Sequence, residues 1–158
     1  MIRPRVLLAD DHPALLRGAS SLLKLQFEVV GNVKDGETLV SEARRLRPDV
    51  IVTDITLPVV SGIDVVHELR ESGLAPKIVF LTLHSEQPFV EACMVEGALG
   101  YVLKSHMRSH LIPAIQSVLA GRPYNCSFVS RYWWRVVSGL TLVYRFCRRG
   151  YELGTRST

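Results

Sequence analysis

Along residues 1–120, short apolar runs alternate with longer stretches in which apolar side chains recur every three or four positions. The short runs are Arg5–Ala9, Glu28–Val33, Val50–Thr53, Lys77–Leu81 and Gly100–Leu103. They are rich in Val, Ile, Leu and Phe, and most are nearly continuous rather than alternating. A strand of a parallel sheet covered on both faces has that composition, because neither side meets water. The longer stretches are Pro13–Leu25, Gly36–Leu46, Ser61–Glu71, Gln87–Glu96 and Met107–Ala120. In the first, Leu15, Leu16, Ala19, Leu22 and Leu23 fall on one face of a helix. Gly97 stands where a helix-ending glycine belongs. The alternation predicts an α/β fold, a doubly wound five-stranded parallel sheet with five helices. Right-handed crossovers and this length point to the flavodoxin-like strand order 2-1-3-4-5.

In such a sheet, ligands bind beyond the carboxyl ends of the strands, where the order reverses between strands 1 and 3. Four strands end there in chemically useful side chains. Strand 1 leads into Asp10 and Asp11, strand 3 into Asp54, strand 4 into Thr82 and strand 5 into Lys104. Three carboxylates brought to one spot repel one another and call for a cation. Mg²⁺ takes oxygen ligands and keeps several waters. Asp11 and Asp54 can bind it directly, Asp10 through water, and Thr56 through its backbone carbonyl. Asp54 is then placed as a nucleophile toward phosphorus. Lys104 offers a point charge and Thr82 a hydroxyl to the phosphoryl oxygens.

The runs VLLADDH, VIVTDITLPVVSGID, IVFLT and GYVLKS resemble the receiver domains of two-component response regulators. The resemblance covers about residues 4–120. The start DDHP and the phrases VVGNVKDGETLV and ALGYVLKS are similar to the NarL/FixJ (LuxR-type) subfamily in particular. The resemblance implies that Asp54 accepts a phosphoryl group from a phosphohistidine on a sensor histidine kinase, or from a small donor such as acetyl phosphate. It implies that Thr82 shifts toward that group and that Tyr101 is the aromatic that turns inward in response. It implies a homodimer or partner face on the surfaces from Gln87 onward, or on the first and last helices. Activity would be limited to self-phosphorylation and self-dephosphorylation, so the chain is not read as an enzyme. Two positions depart from the common pattern. Lys104 is followed by Ser105 rather than proline, and Thr82 by the bulky Leu83 rather than a small residue. Of the neighbouring side chains, His12 is read as loop decoration, and Asp64, His67 and Glu68 as a solvated helix face.

Charge changes the picture after residue 120. Residues 1–120 hold 12 Lys/Arg against 14 Asp/Glu, a net of −2, whereas residues 121–158 hold 7 Arg and one Glu, a net of +6. Of the 12 aromatic residues, 8 fall in that second part. The shift places a boundary near Gly121-Arg122-Pro123: a receiver over residues 1–121 and a basic, aromatic tail over 122–158. The subfamily normally carries a helix-turn-helix module of ~60 residues that enters the DNA major groove. The tail is too short for it and has no clean helical stripe. It is read as a truncated or frame-shifted remnant, and DNA is not expected to be contacted through it.

Other classes fit less well. No apolar run reaches the ~18–20 residues of a membrane span, and the N-terminus lacks a signal-peptide pattern, so a cytoplasmic protein is expected. Cys93, Cys126 and Cys147 are odd in number and lack metal spacing, which argues against a disulfide framework or zinc. A Mg²⁺-dependent aspartyl-phosphate phosphatase would want a second Asp two residues after the nucleophile, where Thr56 stands. A nucleotide-binding protein would want a glycine-rich loop after strand 1, and none follows. A DNA-binding regulator would depend wholly on the basic tail.

Overall fold

The computed structural model describes residues 2–85, 93 and 96–126. The strands are β1 (Arg5–Ala9), β2 (Glu28–Val33), β3 (Val50–Thr53), β4 (Lys77–Thr82), β5 (Gly100–Leu103) and β6 (Tyr124–Asn125). The helices are α1 (Pro13–Leu23), α2 (Gly36–Leu46), α3 (Gly62–Glu71) and α4 (Met107–Leu119), with a 3₁₀ turn over Lys104–His106. The helix expected over Gln87–Glu96 lies outside the described residues, apart from Cys93 and Glu96.

The sheet order is β2-β1-β3-β4-β5-β6, and every neighbouring pair is parallel. The first five strands keep the expected 2-1-3-4-5 order. The expected count of five strands is corrected to six among the described residues. Tyr124 pairs with Gly100 and Asn125 with Tyr101, past the expected boundary at residue 121. Gly121, with φ of +72°, ends α4 and turns the chain back to the sheet edge. Two residues are too few to show any hydrophobic period, so this strand left no pattern in the sequence.

Alternate strand residues feed two cores. Leu7, Ile51, Ile78, Phe80 and Tyr101 pack under α2 and α3 with Leu39, Ala43, Val66 and Leu69. Val6, Leu8, Val50, Val52, Val79 and Leu81 pack under α1 and α4 with Leu16, Leu23, Leu111 and Ile115. Helix α1 stops at Leu23 rather than Leu25, and Gln26 N–H donates to the Leu23 carbonyl at 3.0 Å in the i→i−3 manner of a turn. Leu25 falls off the buried stripe and is exposed. Asp35 caps α2 by accepting from Thr38 N–H at 2.8 Å, and Ser61 caps α3 by accepting from Asp64 N–H at 3.2 Å.

Two glycines let backbone segments touch beside the strand ends. A Cβ on Gly62 would lie 2.0 Å from the Asp54 carbonyl oxygen, and one on Gly36 would lie 2.1 Å from that of Val60. Both contacts are with backbone and cannot yield by a rotamer change. Gly62→Ala is therefore expected to destabilise the protein by roughly 3 kcal/mol, as for overpacking of a rigid site. Urea unfolding of wild type and variant checks this.

Candidate functional site

Among the described residues, the buried polar or charged side chains are Asp10, Thr53, Asp54 and Thr82. Three of them stand at the carboxyl ends of β1, β3 and β4, at one rim of the sheet. Burying carboxylates is costly unless they are paired, so their clustering needs a charge to answer it. Asp10 follows β1 and extends its ladder by donating to the Val33 carbonyl at 3.1 Å, and Asp54 follows β3 and donates to the Ala9 carbonyl at 3.1 Å. These backbone bonds fix where the two carboxylates start.

Lys104 supplies the answering charge from the end of β5. Its Nζ lies 2.6 Å from Asp10 Oδ2 and 2.6 Å from Asp54 Oδ2, and its side chain is 6% exposed. The Asp54 contact is a hydrogen bond. The Asp10 contact is close but lacks hydrogen-bond direction, so Asp10 Oδ2 is held by charge alone. Burial works against the ammonium, but the close contacts with Asp10 and Asp54 outweigh it and raise the Lys104 pKa. Lys104 stays protonated through the neutral range.

The other expected residues fall around this centre. Asp11 is 40% exposed at the mouth. Thr56 is exposed in the loop after β3, and its N–H approaches Asp54 Oδ1 at 3.4 Å. Thr82 is buried, and its Oγ1 accepts from His84 N–H at 3.2 Å. Tyr101 is buried and points inward, its hydroxyl donating to the His84 carbonyl. Leu83 is 73% exposed and faces solvent. The Lys104–Ser105 peptide is trans and opens the 3₁₀ turn. Cys93 is buried, and burial pushes its thiol pKa up, with a smaller push from the Asp54 charge.

His12 has a larger part than loop decoration. Its Nδ1 lies 3.0 Å from Asp10 Oδ1 and 2.8 Å from Asp11 Oδ1, and its backbone N–H donates to Asp10 Oδ1 at 2.8 Å. Its position next to the acid pair was the only sequence signal for this. Gly36 and Gly62 also belong to the site through the close approaches described above. Asp64 caps with Ser61, Glu68 pairs with Arg44 at 2.9 Å and His67 with Glu96 at 3.1 Å.

The donor set fits a hard divalent cation. Ligand atoms of Asp10, Asp11 and His12 lie within 4.8 Å of one another, and Asp54 shares Lys104 with Asp10. Three carboxylates face one permanent cation, which leaves room for more positive charge. The described residues contain no helix long and apolar enough to cross a membrane.

Comparison with known proteins agrees with this geometry. Residues 6–116 match the response regulator receiver domain family. The nitrate/nitrite response regulator protein NarP of Escherichia coli is 35% identical over 130 residues, covering 81% of this chain and 60% of NarP. The chain thus spans about three fifths of the length of such relatives. A two-component response regulator of the LuxR family from Aurantimonas sp. superposes with a TM-score of 0.74 at 33% identity, covering 78% of this chain and 89% of that one. The isolated receiver of RcsB from Salmonella enterica, solved with the phosphomimetic BeF₃⁻, gives a TM-score of 0.71 at 25% identity, covering 78% and 94%.

Removing the ammonium isolates two buried carboxylates. Lys104→Met is expected to cost roughly 3 kcal/mol at pH 7, as for a broken buried pair. Urea unfolding of wild type and variant at pH 7 checks it.

Proposed function

The chain belongs to the response regulator receiver domain family, related to NarL/LuxR-type regulators, and from this premise we propose that Asp54 accepts a phosphoryl group in phosphorelay signal transduction. The observation that carries the reading is Lys104 Nζ at 2.6 Å from both Asp10 and Asp54. Residues from β1, β3 and β5 thereby form one charged centre around a carboxylate that can act as a nucleophile.

Asp11 and Asp54 would hold Mg²⁺ directly, Asp10 through water and Thr56 through its carbonyl. When bound, the ion supplies positive charge to the donor's phosphoryl oxygens. Asp54 attacks phosphorus, and the new O–P bond forms as the bond to the donor nitrogen of a kinase phosphohistidine breaks. The electron pair leaves with that nitrogen; with acetyl phosphate it leaves as acetate. Lys104 moves its ammonium from the Asp54 oxygen onto a phosphoryl oxygen. Thr82 accepts from His84 N–H, which leaves its own O–H to donate to the phosphoryl group.

Thr82 and Tyr101 serve as the switch pair. The inward Tyr101 is tied through His84 to the segment that carries Thr82, so a movement of Thr82 is felt at β5. A sensor histidine kinase is the expected donor, a second copy of the chain the expected partner, and residues 1–121 the functional receiver, with β6 attached. Residues 127–158 lie outside the described residues, and no role in DNA binding is assigned to them. The phosphatase reading gains no support, because Thr56 has no carboxyl to act as an acid.

Incubation with Mg²⁺ and acetyl phosphate, followed by intact-mass measurement, tests the proposal. Wild type should gain one phosphoryl group and Asp54→Ala none. Lys104→Ala should be slowed by roughly 10²-fold, as when one preorganised charge donor is lost. Equal labelling of wild type and Asp54→Ala would contradict the assignment.

A further inference from the structure

A second group of metal-ligating side chains follows Lys104. His106 and His110 stand four residues apart. That spacing puts two side chains on one face of a helix and lets two imidazoles share one metal ion. His106 immediately precedes α4, and His110 lies in its first turn. Their ring centres are 5.8 Å apart, with the planes tilted by 56°. Two imidazoles on one tetrahedral ion, with bonds of roughly 2.0–2.1 Å, have ring centres about 5–6 Å apart. The rings therefore already stand at the separation that a shared ion requires.

The surroundings leave the needed nitrogens open. His106 is exposed, and its side chain makes no capping bond to α4. His110 is held from the other side: its Nδ1 lies 2.6 Å from the Tyr124 hydroxyl, which reaches across from β6. With Nδ1–H donating to that oxygen, Nε2 carries the lone pair a metal needs. A hydrogen bond at the second nitrogen is what orients ligating histidines generally. Tyr124 is fixed in turn, its N–H donating to the Leu99 carbonyl at 2.8 Å. Cys126 has its sulfur engaged by Leu103 N–H at 3.1 Å, so the ligands are the two histidines, with water in the remaining positions. Neighbouring cations do not compete. Lys104 directs its ammonium to Asp10 and Asp54, and Arg108, two residues from each histidine, falls on another face of the helix. The positive end of α4 weakens cation binding by only about two- to fivefold.

We propose that His106 and His110 form a binding site for a divalent transition ion of the Zn²⁺ class, with Tyr124 orienting His110. Imidazole nitrogen suits Zn²⁺, Cu²⁺ and Ni²⁺, whereas carboxylate oxygen suits Mg²⁺, so this site and the acidic rim select different metals. A bound ion ties the 3₁₀ turn over Lys104–His106 to the first turn of α4 and, through Tyr124, to β6.

Titration of the full chain with ZnCl₂, followed by NMR of the five histidine rings, tests the proposal and locates the ion. The His106 and His110 signals should move together with one midpoint. His106→Gln should weaken the response of His110 roughly tenfold or more, at least as much as losing an outer-shell partner does. His106 is exposed, so this variant keeps the fold, and an equal urea midpoint verifies that. An unchanged His110 response in His106→Gln overturns the proposal, because the two rings would then not share an ion. Silence of both rings overturns it as well, whether no ion binds or His12 alone responds at the acidic rim; the two rings would then be in packing contact only.

Discussion

The structure turns on one unbalanced set of charges. Lys104 holds Asp10 and Asp54 with one ammonium, each oxygen 2.6 Å away, in a place where both acids are almost wholly buried. Taking carboxylates out of water is tolerable only with a partner at contact distance. Three strands must therefore end in register at one rim. A slip of one residue in β3 would turn Asp54 to the other face of the sheet and leave Lys104 with one acid. The sheet order, with β1 between β2 and β3, is what brings these ends together.

The same rim keeps spare capacity for cations. His12 touches both Asp10 and Asp11, yet Asp11 remains at the solvent edge. One ammonium against three carboxylates favours whatever brings further positive charge. On the proposed reading, a bound cation would offset the excess of negative charge before a phosphoryl group adds to it, and the glycine contacts at Gly36 and Gly62 hold the backbone around those acids.

Most of this was legible in the residues. The apolar runs located five strands because buried parallel strands are apolar on both faces. Of the residues that follow those strands, Asp10, Asp54 and Lys104 are brought together by the fold. Short or solvent-facing features were not legible. Strand β6 has two residues and no period, and the fate of Leu83 depended on which way its side chain pointed. His12 sits beside the acids in sequence, but only its ring position shows that it contacts both.

Borohydride reduction of the phosphorylated protein, followed by peptide sequencing, tests the central assignment most directly. Hydride converts an aspartyl phosphate into homoserine and marks the residue that carried the phosphoryl group. The account predicts homoserine at position 54, with Asp10 and Asp11 intact. Homoserine at position 10 or 11, or a phosphorylated protein with no homoserine at all, would contradict it.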